Sequence, residues 1–315
     1  MEFFNTRTSL NFLGQRRQAA VISAILMIGS LILLIPGVRG LNFGIDFTGG
    51  VLLELGYQGP ANLPDIRERL AASNFADAQV QNFGTASDVM IRLLPRAGLD
   101  NKEVAGQIIA VLKAGDPTVE LRRTEFVGPQ VGQELTEQGS LAMLFAMIMI
   151  AAYIMVRFQW KFALGAILAT LHDPIITLGF FALTGLTFDL SVLAAMLAIV
   201  GYSVNDTIIV CDRIRENFRK IRRGEPEEIM NISVNETLGR TIMTSSLTML
   251  MVIAMLLFGG ETLRGFASAL AVGIVVGTYS SIFIASALAL VLKATAADLM
   301  PPKQGKGEGE VDSMP

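Results

Sequence analysis

The chain has one carboxylate placed where it could bind a proton away from bulk water. Asp206 follows residues 190–200, which contain no ionisable side chain, and precedes the apolar segment 208–211. A charged side chain at the centre of a membrane helix costs about 2.5–3.5 kcal/mol, so it usually faces protein or water and often marks an ion pathway. We therefore predict a proton-transport acid inside a membrane-spanning helix. The alternative is a helix that ends before Asn205 and leaves Asp206 among lipid headgroups.

Arg240 is the candidate partner of Asp206. It begins a later apolar run that enters the membrane from the side on which the Asp206 helix ends, so its long side chain could reach the carboxylate. An ion pair would keep the acid charged, and separation of the pair would favour protonation, which is the coupling that a proton-driven machine needs. The alternative is a flanking charge that extends to the membrane interface.

His172 and Asp173 form a second polar position, near the middle of another apolar run and directly before Pro174. Imidazole titrates near neutral pH, so a histidine beside an aspartate could relay protons. The alternative is a proline kink whose freed carbonyls and polar side chains are satisfied by neighbouring helices. Relay and kink are both open from the sequence.

Small residues recur every four positions on the last apolar run. They are Ala269, Gly273, Gly277 and Ser281, and Gly273 with Gly277 forms a GxxxG pair. Small residues at this spacing let helices approach closely. The pattern predicts a packing seam, either within this chain or with a second one.

Composition limits the class of protein. Apolar residues make up 52% of the chain and charged residues 17%, which is typical of a membrane protein. The single cysteine, Cys211, excludes a disulfide framework and is expected to pack as a small buried thiol. The single histidine excludes zinc motifs that need two. We expect no metal, no organic cofactor and no enzymatic activity, with protons as the coupling ion.

Six apolar runs are long enough to cross a hydrocarbon core of about 30 Å, for which about 20 helical residues suffice. The runs are 19–38, 139–156, 162–184, 189–211, 240–258 and 265–292. The first is longer than a signal-peptide core and lacks a small-residue cleavage site, so we expect it to be retained. Basic residues cluster at 16–17, 157–161 and 213–223, which places both termini in the cytoplasm by the positive-inside rule.

Residues 39–138 are then extracytoplasmic, as a small α+β domain. Alternating apolar residues predict strands at 51–57, 79–83, 89–93 and 119–121. Two helices are predicted between the strands. Asn62 and Pro64 open the first, which buries Ile66 and Leu70. Asp100 and Glu103 open the second, which buries Val104, Ile108, Val111 and Leu112. The order βαββαβ is ferredoxin-like. We expect residues 1–18 to form a cytoplasmic N-terminus and residues 293–315 a disordered cytoplasmic tail after the five-helix region 139–292.

Five segments of the chain resemble the SecF family of the bacterial SecDF protein-export complex, within the resistance-nodulation-division superfamily. They are GIDFTGG at 44–50, VGPQVGQEL at 127–135, HD at 172–173, GYSVNDTIIVCDRIREN at 201–217 and ETLGRTIMTS at 236–245. They occur in the family's order and extend over nearly the whole chain. The residues that match the family signature include Gly44, Asp46, Gly49, Gly50, Asn205, Asp212 and Arg213.

The resemblance implies half of a twelve-span unit that SecD completes, in the bacterial inner membrane. It implies that Asp206 and Arg240 are the pair concerned with proton transport. The implied activity is to couple proton flow to movement of the outer domain, which assists preprotein export. The implied partners are SecD, the SecYEG channel, YajC and unfolded preproteins, with a functional link to the motor SecA and none to nucleic acid. The role of Asp46 stays open beyond the shaping of a turn.

Three other functions fit parts of the pattern. Asp173 and Asp206 could form the aspartyl dyad of an intramembrane protease, although the GxGD pattern of that class and a GxSxG elbow are absent from the sequence. A passive assembly subunit of the translocon would need no proton transport. A complete small-molecule pump of the same superfamily would need more spans and larger outer domains.

Overall fold

The computed structural model describes residues 9–96, 101–221 and 224–294. In chain order its elements are α1 (Arg16–Leu34), β1 (Asn42–Phe43), α2 (Ile45–Thr48), β2 (Gly50–Gly56), α3 (Leu63–Ala72), β3 (Gln79–Phe83), β4 (Thr85–Leu93), α4 (Asn101–Gly115), β5 (Glu120–Val127), α5 (Pro129–Arg157), α6 (Trp160–Thr184), β6 (Thr187–Phe188), α7 (Leu190–Lys220), α8 (Pro226–Phe258), α9 (Gly260–Ser280) and α10 (Ser286–Val291). One 3₁₀ turn, Leu13–Gln15, precedes α1, and one π-helical turn, Ser281–Ala285, joins α9 to α10.

Six helices in this part of the chain are long and apolar enough to cross a membrane, as predicted. They are α1, α5, α6, α7, α8 and the continuous unit of α9 and α10. The most buried are α6, α7 and α9, and they pack against one another at the centre. The helices α1, α5 and α8 lie around them with most of their apolar surface exposed.

Several helices differ in length from the apolar runs that predicted them. α7 continues past 211 to Lys220, and α8 begins at Pro226 rather than 240, so Arg240 lies within α8 and not at its start. α1 ends at Leu34 rather than 38, because Pro36 disfavours a helical conformation at Ile35, whose ψ is 125°. α5 begins at Pro129, well before the apolar run at 139 and inside the segment assigned to the outer domain. Proline suits the first turn of a helix, and the polar turns that follow it need no hydrophobicity to remain helical.

α7 is one continuous helix of 31 residues from Leu190 to Lys220. Asp189 caps its N-terminus by accepting a hydrogen bond from Val192 N at 2.9 Å. The helix does not end before Asn205, so the structure excludes that alternative. Asp206 therefore lies within the helix, flanked by helical turns on both sides.

Strands β2 to β5 and helices α3 and α4 form a unit apart from the membrane-spanning helices, which we call the outer unit, and its elements follow the predicted order. The strands make an antiparallel sheet in the order β3-β4-β2-β5. The two helices cover one face of it, over a core of Val51, Leu53, Leu55, Ile66, Leu70, Val89, Ile91, Val104, Ile108 and Leu112. Asn62 caps α3 by accepting from Asp65 N at 3.4 Å. These contacts give the unit a core of its own.

A few residues of the outer unit differ from their predicted burial or strand assignment, and others lie outside the described residues. Val111 is half-buried rather than buried, and strand β5 begins after Val119. Asp100, the expected start of α4, lies outside the described ranges, as do residues 1–8 and the tail from 295 onwards.

Candidate functional site

Asp206 occupies a buried position in the apolar helix α7 and is only 2% exposed. Arg240 of α8 lies close enough to act electrostatically on the Asp206 carboxylate. Within the described ranges, however, no hydrogen bond and no ion pair of 4.0 Å or less joins the two side chains. Arg240 itself is exposed. The structure thus holds a buried acid near an accessible cation, with the two charges apart.

Two buried hydroxyls follow these charged residues in the sequence. Thr207 and Thr241, the residues that follow Asp206 and Arg240, are each 1% exposed. Neither hydroxyl has a hydrogen-bond partner in the part of the chain that the structure describes. A buried unpartnered hydroxyl costs about 1–3 kcal/mol, so both are unfavourable as the structure holds them.

Asp173 of α6 is fully buried and connects three central helices. Its Oδ2 atom accepts hydrogen bonds from Ser203 Oγ of α7 and, at 2.9 Å, from Ser280 Oγ of α9. Its Oδ1 atom lies 2.9 Å from Nδ1 of His172. A buried carboxylate is tolerated where its oxygens have such partners. Because Ser203 lies three residues before Asp206, the two side chains share one face of α7.

His172 extends this network toward α1. Its ring lies 6.3 Å from the ring of Tyr279, stacked at 27°. The Tyr279 hydroxyl donates to Ala19 O at 2.8 Å and accepts from Ser23 Oγ at 3.0 Å, both on α1. The second ring nitrogen of His172, Nε2, is buried without a partner among the described residues. Through these contacts His172 and Asp173 join α6 to its neighbouring helices, and α6 continues through Pro174. The proton relay stays a prediction.

The C-terminal half of the α7 motif forms ion pairs and hydrogen bonds with neighbouring helices. Asp212 pairs with Arg157 of α5 at 2.8 Å. Arg213 pairs with Glu236 of α8 at 2.7 Å, and Asn217 Nδ2 donates to the same Glu236 carboxylate at 2.7 Å. The two longest motifs of the sequence therefore contact each other directly. Their charged ends fix α7 against α5 and α8 next to Asp206.

The glycines of α9 face α7 within this chain. A Cβ atom placed on Gly273 would lie 2.4 Å from side-chain atoms of Ile199. A Cβ atom on Gly277 would lie 3.1 Å from Cβ of Ser203 and 3.5 Å from Oδ2 of Asp173. The small residues thus let α9 approach α7 closely at the level of the Asp173 network.

The GIDFTGG segment lies at the junction between the outer unit and the membrane helices. Gly44 N donates to Phe188 O at 2.8 Å, beside the parallel pair of β1 and β6. Asp46 Oδ2 accepts a hydrogen bond from Leu190 N, the first residue of α7, at 3.0 Å. Gly49 and Gly50 both have positive φ, +70° and +118°, which glycine adopts without strain. The signature residues of this segment therefore connect the outer sheet to α7.

Sequence reasoning missed the residues that bind Asp173. Ser203 and Ser280 are 30 and 107 positions away from it, and serines in apolar helices carry no distinctive signal. The same contacts argue against an aspartyl dyad, since each oxygen of Asp173 has another partner and no hydrogen bond links it to Asp206 among the residues described here. A dyad requires two carboxylates that share a proton.

Comparison with known proteins assigns this arrangement to a family. Residues 107–295 match the family model "Protein export membrane protein SecD/SecF, C-terminal", and residues 35–61 match "SecD/SecF GG Motif". The chain is 49% identical to the protein translocase subunit SecF of Vibrio alginolyticus, over 100% of this chain and 99% of the relative. It is 48% identical to SecF of Pseudomonas aeruginosa, over 98% of each.

Solved structures agree with the sequence comparison. SecDF of Thermus thermophilus, described as a translocon-associated membrane protein, matches 91% of this chain with a TM-score of 0.82 and 36% identity. A SecDF structure in a super-membrane-facing form matches with a TM-score of 0.68 and 36% identity. This chain spans 39% of the length of each SecDF chain. The protein belongs to the SecF family of protein translocase subunits, and it is a multi-pass membrane protein.

Proposed function

We propose that this chain is one half of a proton-driven export machine and that its partner is SecD. Proton flow through the membrane would move the outer unit, which assists preproteins as they emerge on the outer face. The observation that carries the proposal is Asp206, a carboxylate 2% exposed in an apolar helix, near Arg240 but not paired with it. An acid in this setting can change its charge when its surroundings change.

An exposed polar surface supports the need for a partner. Asn205 and Arg240 are both exposed although they belong to membrane-spanning helices. Lipid contact would be costly for either side chain. On the same face of α7, Ala194, Ala198 and Gly201 form an exposed seam of small residues, which suits close contact with another helix. SecD would cover this face and would complete the surroundings of the Arg240 guanidinium.

The solved SecDF structures support movement. Both are 36% identical to this chain, yet their TM-scores are 0.82 and 0.68. Chains of this kind have therefore been captured in two arrangements. The outer unit is a candidate for the moving part. Its strand order places the first strand between the third and the fourth, which supports the ferredoxin-like assignment.

The free energy released by proton flow is large enough to drive such a movement. One proton that crosses 100 mV releases about 2.3 kcal/mol. A pH difference of one unit adds about 1.4 kcal/mol. A few protons per cycle therefore suffice to shift a two-state equilibrium from one extreme to the other, which needs about 5.5 kcal/mol. We propose protons alone as the coupling species, with no cofactor and no covalent chemistry.

The proposed orientation places both termini in the cytoplasm of the bacterial cell and the outer unit outside the inner membrane. Arg16 at the start of α1, the turn from Arg157 to Lys161 and the basic end of α7 then lie on the cytoplasmic side. On the outer face, the unit would meet unfolded preproteins leaving the SecYEG channel after the motor SecA has pushed them across. YajC is a further proposed neighbour.

The test is gradient-dependent export in inverted membrane vesicles that contain the chain with SecD. We expect Asp206→Asn to remove the stimulation of preprotein export by a proton gradient, while the ATP-driven part persists. Co-purification with SecD serves as the folding control for the variant. Gradient stimulation at the wild-type level in Asp206→Asn would instead indicate a passive assembly subunit.

A further inference from the structure

The Asp46 carboxylate is the point where a side chain from outside the membrane helices binds the main chain of α7. Its Oδ2 atom accepts the hydrogen bond of Leu190 N at 3.0 Å. Asp189, the N-cap of the same helix, accepts from Val192 N at 2.9 Å instead. Two carboxylates thus satisfy two different N–H groups at the positive end of α7. Asp189 belongs to the helix itself, whereas Asp46 belongs to the segment that enters the outer sheet.

The segment that carries Asp46 is held rigidly against the sheet. Gly50 is the first residue of β2, a central strand, and a Cβ atom there would lie 2.2 Å from Leu93 O of β4. A Cβ atom on Gly132 of α5 would lie 2.8 Å from Gly49 N. The backbone of this segment is therefore packed closely against β4 on one side and α5 on the other. Because only Gly49 separates α2 from β2, a displacement of Asp46 acts directly on the start of β2.

A second set of contacts holds the sheet to the same junction. Arg92 of β4 is 8% exposed, and its guanidinium donates to Phe43 O at 2.5 Å and to Asn42 Oδ1 at 2.6 Å, both in β1. Burial lowers the pKa of Arg92 from its usual value, but a guanidinium stays charged at physiological pH. The sheet is thus fastened to β1 and, through α2, to α7.

Between this junction and the turn that joins β3 to β4, the uncovered face of the sheet stands clear of the membrane helices. At that turn, a Cβ atom placed on Gly84 would lie 3.2 Å from Cγ of Glu261 on α9. A cavity of about 510 Å³ separates its uncovered face, including Leu52 and Glu54, from the outer ends of α6 and α9 at Thr184 and Arg264. The sheet is therefore held at the junction and approached by α9 at one turn, and it is not packed along its whole face. It has space to tilt if the junction moves.

At the other end of the connection lies Asp206. It follows Leu190 by sixteen residues on one uninterrupted helix, a distance of about 24 Å at 1.5 Å per residue. A continuous helix transmits a shift or a tilt along its length. We propose that the hydrogen bond between Asp46 and Leu190 is the coupling contact that transfers movement of α7 to the outer unit. Asp46 is thus a positioning residue, and this inference rests on the proposed function of Asp206.

The sharpest test removes the donor rather than Asp46. Leu190 is the first residue of α7, a position where proline is favoured, and the preceding Asp189 already has the extended conformation that proline requires. Leu190→Pro removes only the N–H and the side chain. Leu190→Ala is the matched control, because it removes the side chain and keeps the N–H. Both variants retain Asp46, Asp206 and Arg240.

Three readouts are measured on the full chain with SecD in vesicles. They are proton flux, gradient-stimulated preprotein export, and the gradient-driven change in distance between spin labels at Lys113 of α4 and Arg219 of α7. We expect Leu190→Pro to retain proton flux, to lose the distance change and to lower gradient-stimulated export by about fivefold or more, the factor that loss of one capping contact represents. Leu190→Ala keeps all three. Asp46→Ala should match Leu190→Pro, and Asp46→Asn, which keeps an acceptor oxygen, should restore much of the export.

The outcomes separate this inference from the proposed function. Equal behaviour of Leu190→Pro and Leu190→Ala overturns the coupling role, as does a proportional loss of flux and export in Leu190→Pro, since that indicates general destabilisation. If Leu190→Pro fails to assemble, Asp46→Ala compared with Asp189→Ala decides in the same way, because Asp189 caps the same helix without contact to the outer segment. Retained proton flux in Asp206→Asn overturns the proposed function itself.

Discussion

Ser203 of α7 donates a hydrogen bond to the buried carboxylate of Asp173 on α6, one helical turn away from Asp206. The bond ties the helix that carries the proposed proton site to its most buried neighbour. Ser280 of α9 binds the same carboxylate oxygen. A change of charge at Asp206 therefore occurs on a helix that is already fixed to two others at the same depth.

Loss of the Ser203 hydroxyl is expected to destabilise the membrane core. In Ser203→Ala the Asp173 carboxylate loses one of its three side-chain partners while it remains buried, which costs about 1–3 kcal/mol. Thermal unfolding of the purified chain in detergent measures the effect. Ser246→Ala on α8 is the control, because Ser246 is exposed. Equal unfolding temperatures for the two variants would show that the Asp173 network does not stabilise the fold.

Close approach of α9 to α7 predicts a steric effect at Gly273. Leucine at this position would drive its Cβ atom to within 2.4 Å of Ile199, so Gly273→Leu should cost about 1–3 kcal/mol or prevent folding. Gly29→Leu on α1 is the matched control, because nothing lies within 4 Å of a Cβ atom placed there. The ratio of folded to aggregated chain after heating reports the difference. A Gly273→Leu variant as stable as Gly29→Leu would contradict the packing described above.

The exposed seam on α7 predicts where SecD binds. Ala198→Trp places a large ring on this seam and should lower co-purification of SecD by more than about tenfold, since the ring prevents close helix contact. Leu144→Trp on α5 is the control, because Leu144 is 54% exposed on a different helix. The unfolding temperature of the chain alone should stay unchanged in both. Normal recovery of SecD with Ala198→Trp would place the partner elsewhere.

The outer sheet contains an acid whose ionisation is unfavourable. Burial raises the pKa of Glu54 above its ordinary value of 4.5, although Arg123 opposes this. Because the folded state then binds its proton more tightly than the unfolded state, stability falls as pH rises from the ordinary value through the raised one. Glu54→Gln removes this loss. We expect slower amide hydrogen exchange in β2 than in the wild type at pH 7, with the difference shrinking toward pH 4. Equal amide exchange rates in Glu54→Gln and the wild type, at pH 7 as well as at pH 4, would contradict this.

The sequence predicted most of the architecture because hydrophobicity and alternation determine it. Six apolar runs became six long helices, and period-two patterns became the four strands of the sheet. The start of α5 at Pro129 could not be found in this way, because its first turns are polar. The length of α7 beyond residue 211 was missed for the same reason, since its end is held by ion pairs such as that of Arg213 with Glu236.

Contacts between distant residues could not be derived from the sequence. Asp46 looked like a turn residue, because its partner Leu190 lies 144 positions later. The sequence left open whether Arg240 pairs with Asp206 or extends to the membrane interface, and the structure holds the two near each other without a direct bond. Whether two side chains on neighbouring helices meet depends on how each helix is rotated about its own axis. A pattern of apolar positions does not specify that rotation to within one residue.

The central claim is that Asp206 carries protons. Its most direct test is proton flux into sealed vesicles that contain the chain with SecD, measured with a pH-sensitive dye after a membrane potential is imposed. The account predicts that Asp206→Asn reduces flux to the level of empty vesicles, whereas Asp212→Asn, six residues further along the same helix and paired with Arg157, retains at least about half of it, since exposed ion pairs contribute little. Wild-type flux in Asp206→Asn would contradict the account.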